Sequence, residues 1–284
     1  MMNLITWNIQ WGRGCDGRVD FTRIVDTAMA AADADVLCFQ EVGRNYPGLP
    51  GSSGEDQFEE IARRLPQHSK IEGVATDVLA PDGTRRQFGN AIYSRLPVVQ
   101  LFRHLLPWPA DPKIPGMQRI AIEAVLQAKH SLVRVTTTHL EYYSKRQRMA
   151  QVERLRELHA EASSHANDVV QRKKVGDPFE TMPRPAAGIL TADFNFRADS
   201  REYRRITAPF DGATQPFCDA WTVRHGDKPH DATLGVFDHE QWPVPYCCDF
   251  IFVSADLAPH VEDVRVDLKT DASDHQPVVL VLDR

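Results

Sequence analysis

The chain has 284 residues, with 33 basic and 39 acidic side chains and a formal net charge of −6. Hydrophobic residues make up 42% and charged residues 25% of the sequence, which excludes collagen, a coiled coil and a disordered chain. No apolar run reaches the roughly 18–20 residues that cross a bilayer, and no signal peptide is visible, so we expect a cytoplasmic protein without stable membrane insertion. The five cysteines have no C-x-x-C spacing, which disfavours a disulfide framework or a zinc site. The acidic balance disfavours a dedicated nucleic-acid binder but leaves nucleic acid open as a substrate.

In the first part of the chain, predicted strands and helices alternate. A short β-rich run ends at Asn8, and the N-cap residue Asp20 begins an amphipathic helix. Val36–Phe39 is apolar throughout, as in a strand covered on both faces, and we expect this strand to end at Gln40–Glu41. A second helix is predicted from Phe58 onwards.

From residue 90 onwards, strand-like runs follow one another closely. They are Asn90–Ser94, Ala121–Leu126, Leu132–Thr138, Ala187–Thr191, Asp249–Ser254 and Pro277–Leu282. A third helix is predicted to begin near Ser144, and residues 163–187, which are polar and contain three prolines, predict an insertion or a mobile loop. Because strands outnumber helices by more than two to one, the pattern favours two packed sheets with helices outside, in a single domain that spans residues 1–284.

Acidic, amide and histidine side chains stand where the predicted strands end. They are Asn8, Glu41, His139, Asp193, Asn195, Asp249, Asp274 and His275. Any one of the Asn and Asp residues could instead be a turn former that bonds its own backbone. Chance seldom ends so many apolar strands in acids and amides, however, and strand ends on one side of a sheet converge in space. The set therefore predicts one functional site.

Seven short motifs follow one another in a recognisable order between residues 6 and 278. They are Thr6–Ile9, Gln40–Val42, Gly89–Arg95, Thr138–Leu140 with Arg148 and Gln151, Asp193–Asn195, Asp249–Ser254 and Ser273–Val278. With these motifs the chain resembles the endonuclease/exonuclease/phosphatase superfamily, which includes deoxyribonuclease I, exonuclease III-type repair enzymes, neutral sphingomyelinases and inositol polyphosphate 5-phosphatases. The resemblance implies an α/β fold, a four-layer sandwich of two mostly antiparallel sheets, with the site at one edge of the sheets.

Phosphate-ester hydrolysis requires a cation and hydrogen-bond donors, because the negative charge of the ester repels a nucleophile. Mg²⁺, for which Mn²⁺ can substitute, prefers oxygen ligands and binds one or two carboxylates while it keeps several waters. Glu41 is the first candidate ligand, Asp274 the second, and the amide oxygen of Asn8 a supporting one.

The resemblance implies catalytic roles for the remaining residues of the set. Asp193 orients or deprotonates the attacking water, and Asn195 fixes a phosphoryl oxygen. His275 donates a hydrogen bond to the phosphate and has Asp249 as its carboxylate partner. His139 either contacts the phosphate or protonates the leaving oxygen.

Other residues have weaker signals. Arg119 resembles a phosphate-contacting arginine of deoxyribonuclease I, although a surface ion pair is nearly as good an interpretation. A basic stretch could steer an anionic substrate or simply form a solvated helix face, and it comprises Lys145, Arg146, Arg148, Arg154 and Arg156. Trp108 and Trp242 could stack on a base or a sugar, whereas Trp221 is typical of a core or loop anchor.

The sequence therefore predicts a Mg²⁺-dependent phosphoesterase that uses direct attack of water, with a slight preference for a small phosphorylated substrate. A DNA or RNA nuclease is the alternative. A non-catalytic binding module on the same fold would have lost some of the site residues, and all of them are present. A serine hydrolase would need a nucleophile elbow, which Gly51–Gly54 lacks. No protein partner can be inferred.

Overall fold

The computed structural model describes residues 1–167 and 176–283. Its strands are β1 (Met2–Asn8), β2 (Val36–Arg44), β3 (Ser69–Leu79), β4 (Arg85–Ser94), β5 (Val98–Leu105), β6 (Ile120–Gln127), β7 (Leu132–His139), β8 (Gly188–Asp193), β9 (Phe217–Asp219), β10 (Asp249–Ser254), β11 (Val261–Val266) and β12 (Val278–Leu282). Its α-helices are α1 (Phe21–Ala31), α2 (Gln57–Arg64), α3 (Lys145–Asn167), α4 (Arg201–Ile206) and α5 (Ala220–His225).

The strands form two six-stranded sheets with the same pattern of directions. The first sheet has the order β11-β12-β1-β2-β4-β3, and the second has the order β5-β6-β7-β8-β10-β9. In each sheet the third and fourth strands are parallel, and every other pair of neighbours is antiparallel. Each parallel pair is joined by a helical crossover, α1 between β1 and β2 and α3 between β7 and β8.

Side chains that alternate along the strands divide the interior into three apolar layers. In β1, Leu4 belongs to the core between the two sheets, and Ile5 packs in a cluster with residues of α1 and α2. In β8, Ile189 belongs to the core between the sheets, and Leu190 packs in a cluster with residues of α3 and α4. The layers therefore run helix, sheet, sheet, helix, which confirms the predicted α/β sandwich.

Two of the predicted helix starts are confirmed by their capping hydrogen bonds. The side chains of Asp20 and Ser144 each accept the backbone N–H three residues later. Helix α3 then continues to Asn167, so the predicted irregular segment at 163–187 begins too early. Residues 176–187 form turns and loop before β8, and the part of the prediction at 168–175 lies outside the described residues.

The predicted end of the second strand at Gln40–Glu41 is wrong, because β2 continues to Arg44. Its pairing with β4 shifts register between Gln40 and Val42, which places Glu41 in a β-bulge with a φ of 60°. A non-glycine residue in this left-handed region costs on the order of 1–3 kcal/mol and persists only where its surroundings hold it in place. The bulge re-aims the Glu41 side chain without ending the strand.

Candidate active site

The strand register brings the predicted residues to one edge of the sandwich. Asn8 pairs with Gln40 across β1 and β2, next to the bulge that carries Glu41. In the second sheet, Asp193 pairs with His139 on one side and with Asp249 on the other. The two sheets thus contribute one half of the site each.

These residues surround a cleft with a volume of about 240 Å³. Seven of the nine predicted residues line it, namely Glu41, Arg119, His139, Asp193, Asn195, Asp274 and His275. The other two, Asn8 and Asp249, are 1% and 2% exposed and bond to residues of the cleft wall from behind. The structure therefore brings the whole predicted set together.

Asp193 is the centre of the hydrogen-bond network. Its Oδ1 accepts the backbone N–H of Asn195 at 3.0 Å, and its Oδ2 accepts the Asn8 amide at 3.0 Å. The same Oδ2 lies 3.4 Å from Nε2 of His139 and 3.7 Å from Nε2 of His275. Since the side chain is nearly fully buried, these contacts fix a single orientation of the carboxylate.

His275 is held as a cation by buried carboxylates. Its Nδ1 lies 2.9 Å from Oδ2 of Asp249, which leaves Nε2 to face the cleft. Burial lowers the pKa of His275, but the charges of Asp249 and Asp193 outweigh burial and hold this pKa well above its usual value. The imidazolium is therefore both charged and oriented at neutral pH.

Thr233 is a member of the site that the sequence did not reveal. Its hydroxyl donates to Oδ2 of Asp249 at 2.6 Å and accepts the backbone N–H groups of Cys248 and Asp249 at 3.1 and 3.2 Å. The residue is fully buried, so these bonds fix the carboxylate that orients His275. A lone threonine in a loop belongs to none of the motifs, and only its position in the fold identifies it.

His139 has the opposite electrostatic environment to His275. Burial and the nearby Arg119 guanidinium lower the pKa of His139 to about 3, so the ring is neutral. Its Nε2 accepts a hydrogen bond from the Asn195 amide at 2.9 Å, and its Nδ1 lies 3.9 Å from Oε1 of Glu41. The Asn195 amide also donates to the backbone carbonyl of Leu140, which ties the two predicted residues together.

Glu41 and Asp274 place two carboxylates side by side in the cleft. Burial and the Asp274 carboxylate raise the pKa of Glu41 to about 7. Among the described residues, neither carboxylate forms an ion pair with a lysine or an arginine. Asp274 accepts from the indole of Trp242 at 3.3 Å and from the hydroxyl of Ser273 at 3.3 Å. A buried carboxylate and a partly exposed one, neither paired with a lysine or an arginine among the described residues, fit a hard divalent ion.

The Asn8 amide is engaged on both sides. Its nitrogen donates to Glu41 at 3.2 Å and to Asp193 at 3.0 Å, and its oxygen accepts the backbone N–H of Gln10 at 3.1 Å. In this conformation Asn8 orients the two carboxylates and does not direct its oxygen at the cleft. The predicted role of this oxygen as a metal ligand stays a prediction.

A second cluster of potential ligands does not suit Mg²⁺. Ligand atoms of Asp193, Cys248 and His275 lie within 4.8 Å of one another. However, burial raises the pKa of the Cys248 thiol well above its usual value, and the His275 ring is charged and bonded to Asp249. A neutral thiol and an imidazolium are not ligands for a hard cation.

The structure also bears on the sequence predictions for Arg119, for two of the tryptophans and for the Gly51–Gly54 loop. Arg119 forms no surface ion pair, because it is 7% exposed and its Nε lies 3.4 Å from the buried Glu141. Trp221 is a core residue, as predicted, whereas Trp108 is half exposed. In the loop Gly51–Gly54, both serine hydroxyls donate to a glutamate, which gives no support to a serine nucleophile.

Most of the predicted basic stretch serves the fold. Arg148 is buried, pairs with Glu202 and donates to two backbone carbonyls, and Arg156 donates to three carbonyls. Arg154 pairs with Glu157 on the same helix. The two residues that remain open to solvent are Lys145 and Arg146.

The fold and the site together define a class of phosphoester hydrolases, in which acids, amides and histidines meet at one edge of a four-layer sandwich. The sequence profile of the endonuclease/exonuclease/phosphatase family matches residues 5–275, and the chain belongs to this family. No curated protein matches the chain by sequence. In the described residues, no helix is long and apolar enough to cross a membrane.

Solved structures with the same fold have low sequence identity to this chain. An endonuclease/exonuclease/phosphatase from Bacteroides vulgatus is 19% identical with a TM-score of 0.66, and the match covers 99% of both chains. The mannosyl-6-phosphatase of Bacteroides thetaiotaomicron is 18% identical with a TM-score of 0.63 over 100% of both chains. D. rerio TDP2, complexed with a single-strand DNA product, is 19% identical with a TM-score of 0.63 over 100% of this chain and 99% of that one.

Proposed function

We propose that the protein is a Mg²⁺-dependent phosphoesterase that hydrolyses a small phosphorylated substrate by direct attack of water. The observation that carries this proposal is the Asp193 network, in which one buried carboxylate is oriented by two amides and lies close to both histidines. Next to this network, Glu41 and Asp274 carry carboxylates that form no ion pair with a lysine or an arginine among the described residues.

Glu41 and Asp274 would hold the metal ion, for which Mn²⁺ can substitute. When bound, the ion supplies positive charge that neutralises the phosphate and the developing negative charge of the transition state. Asn8 keeps the Glu41 and Asp193 carboxylates apart and oriented through its two N–H bonds.

The chain's own residues perform the remaining steps. Asp193 accepts a hydrogen bond from the attacking water and takes up its proton. The Nε2–H of His275 donates to a non-bridging phosphate oxygen, because Asp249 already holds Nδ1. Asn195 and Arg119 line the same cleft. Arg119 donates to a phosphoryl oxygen, and Asn195 does so once the phosphate replaces His139 or Leu140 as the acceptor of one of its two amide N–H groups. His139 either contacts the phosphate or protonates the leaving oxygen, as the sequence predicts.

Two observations bear on the substrate. The net charge of −6 and the small cleft volume favour a compact phosphate ester, and the likeness to a mannosyl-6-phosphatase agrees with this preference. A nuclease is the second candidate, favoured by a groove with basic residues next to the cleft and by the likeness to TDP2 with its DNA product. The five cysteines are free thiols, which is typical of the cytoplasm that we propose as the compartment.

The proposal is tested by an activity panel with Mg²⁺ and Mn²⁺. It compares p-nitrophenyl phosphate, bis-p-nitrophenyl phosphate, sugar and inositol phosphates, RNA, plasmid DNA and abasic DNA. We expect turnover that EDTA abolishes and Mg²⁺ or Mn²⁺ restores, with higher kcat/KM on small esters than on nucleic acid. Full activity in EDTA would contradict the metal requirement, and a preference for nucleic acid would favour the nuclease.

Asp193→Asn is the matched variant for this panel. It removes the proton acceptor but keeps an oxygen for one hydrogen bond and the shape of the side chain, so we expect turnover to fall by at least 10²-fold, the lower range for a lost general base. The melting temperature should stay close to that of the wild type, because the site carries excess negative charge. A large fall in melting temperature would assign Asp193 a structural role.

A further inference from the structure

A large groove continues from the catalytic cleft. It has a volume of about 1060 Å³, more than four times that of the cleft. Tyr142, Asn195 and Trp242 line both cavities, so the groove and the cleft adjoin at these three residues. The proposed function uses the cleft alone and leaves the groove without a role.

Four basic side chains stand exposed in the groove wall. Lys145 and Arg146 begin α3, and Arg197 and Arg201 follow the catalytic Asn195. Within the part of the chain that the structure describes, none of the four forms an ion pair with a carboxylate. The Arg197 guanidinium lies 4.2 Å from the ring centre of Tyr246, which holds it at the groove surface.

The position of two of these charges is unfavourable for helix α3 itself. Lys145 and Arg146 occupy the first turn of α3, which contains no acidic residue. The amino end of a helix carries partial positive charge, so cations there are destabilising. Their placement therefore calls for a reason outside helix stability, and a bound anion supplies one.

The acidic residues of the groove are mostly neutralised by other partners. Arg205 binds Glu153 at 2.6 Å, and Arg148 binds Glu202 at 3.2 Å. Asp199 is the remaining acid in the wall. Among the described residues of the groove wall, four cationic side chains and one acidic side chain have no ion-pair partner. The groove therefore carries a net positive charge, although the protein as a whole has a charge of −6.

We propose that this groove binds a second phosphate of the substrate, on the Asn195 side of the phosphate that is hydrolysed. The inference rests on the proposed function, since it takes the cleft as the site of hydrolysis. Tyr142 and Trp242 stand between the two phosphate sites, and their rings contact each other edge to face at 6.0 Å. Their faces suit the sugar or base ring that connects two phosphates. A small bisphosphate and a single-stranded nucleotide chain both present this chemistry.

The experiment compares pairs of substrates that differ in one phosphate. One pair is a hexose bisphosphate and the corresponding monophosphate. The other is a trinucleotide with a charged or a neutral methylphosphonate linkage next to the hydrolysed one. The variants are Lys145→Gln/Arg146→Gln and Arg197→Gln/Arg201→Gln. We expect each variant to lower the kcat/KM ratio of the two-phosphate over the one-phosphate substrate by about 10-fold. In the wild type, this kcat/KM ratio is compared between the two pairs. A larger ratio for the hexose pair indicates a small bisphosphate as the substrate, and a larger ratio for the trinucleotide pair indicates a nucleotide chain.

Lys129→Gln/Arg224→Gln is the matched control, since it removes two exposed positive charges that do not line the groove. This control should leave the ratio unchanged. An equal fall in the control would show that net charge alone acts, and an unchanged ratio in both groove variants would overturn the proposal.

Binding separates the failure of this inference from the failure of the proposed function. Calorimetry with Asp193→Asn measures the affinity for the same phosphate compounds with and without the groove substitutions. Groove-dependent binding without any turnover in the wild type would reject the phosphoesterase and keep the anion site. Turnover with groove-independent binding would reject the anion site and keep the phosphoesterase.

Discussion

At the scale of single residues, the two histidines of the cleft have opposite charge states, and variants at the two positions test their roles separately. Asp249 and Asp193 keep His275 protonated, whereas burial and Arg119 keep His139 neutral. We expect His275→Ala to lose roughly 10²–10³-fold in kcat on aryl and alkyl esters alike, because it removes a donor to the phosphoryl group. If His139 protonates the leaving oxygen, His139→Ala should be impaired mainly on alkyl esters, since p-nitrophenolate leaves without a proton.

A matched pair of aryl and alkyl phosphate esters measures this difference. Equal losses of His139→Ala on both esters would assign it to phosphate binding. Near-normal turnover by His275→Ala would refute its role as a phosphate donor.

Thr233 provides a second prediction at this scale, because its hydroxyl holds the Asp249 carboxylate at 2.6 Å. Thr233→Val keeps the shape of the side chain but removes the donor, so we expect kcat to fall by about 10-fold, the lower effect of losing an outer partner. Thr233→Ser keeps the hydroxyl and should restore most of the activity. Similar losses in both variants would indicate a packing role in place of carboxylate orientation.

The sequence predicts those site residues that belong to a recognisable motif, and it does not reveal Thr233, which belongs to none. All nine predicted residues meet at the cleft or directly behind it, because each lies in a strand or within four residues of a strand end at the same edge of the sandwich. The conformation of Glu41 was not predictable, since a bulge depends on the register with β4 and not on β2 alone. The direction of the Asn8 amide likewise depends on two carboxylates that are distant in sequence.

At the scale of elements, the strands that the sequence pattern missed are the edges of the sheets. The first sheet ends in β11 and β3, and the second in β5 and β9. An edge strand packs on fewer neighbours, and β5 has no buried residue and alternates between half-buried and exposed residues from Gln100 to Leu105. The apolar run that indicates a central strand is therefore absent, and the short helices α4 and α5 have too few turns to show a period.

His159 couples helix α3 to the second sheet, and its titration predicts a pH dependence of stability. Its Nδ1 accepts from Arg134 and its Nε2 donates to the carbonyl of Gln215, both at 2.9 Å. Burial and Arg134 lower the pKa of His159 from 6.5 to about 4. Below pH 6.5 the unfolded chain therefore binds a proton that the folded protein excludes, so stability decreases as the pH falls towards 4.

We expect His159 to account for up to about 3 kcal/mol of this loss, from the linkage between pKa and stability. Chemical denaturation at pH 7.5 and pH 4.5 should show a smaller difference for His159→Gln than for the wild type. His130→Gln, at the exposed turn between β6 and β7, is the control and should behave like the wild type. An unchanged pH dependence in His159→Gln would contradict the assignment.

At the scale of the whole molecule, binding of the metal should stabilise the fold. Mg²⁺ or Mn²⁺ at 100 times its dissociation constant contributes about 2.7 kcal/mol to folding, because the unfolded chain lacks the site. We expect the melting temperature to rise by several degrees in the wild type and to remain constant in Glu41→Gln. Without metal, Glu41→Gln should be at least as stable as the wild type, since burial and Asp274 already oppose the charge of Glu41. A full metal-dependent shift in Glu41→Gln would place the ion elsewhere.

The matching strand orders of the two sheets have a consequence for how catalysis responds to changes in the core. Glu41 is attached to one sheet and Asp193 to the other, and apolar side chains such as Ile122 and Leu4 fill the space between them. On Gly73 of β3, an added Cβ would lie 2.4 Å from the Ile122 side chain, so Gly73→Ala acts as a wedge between the sheets. The reaction rate therefore depends on the separation between the two sheets. A substitution such as Gly73→Ala, far from the bound phosphate, changes turnover because it alters the distance between Glu41 and Asp193.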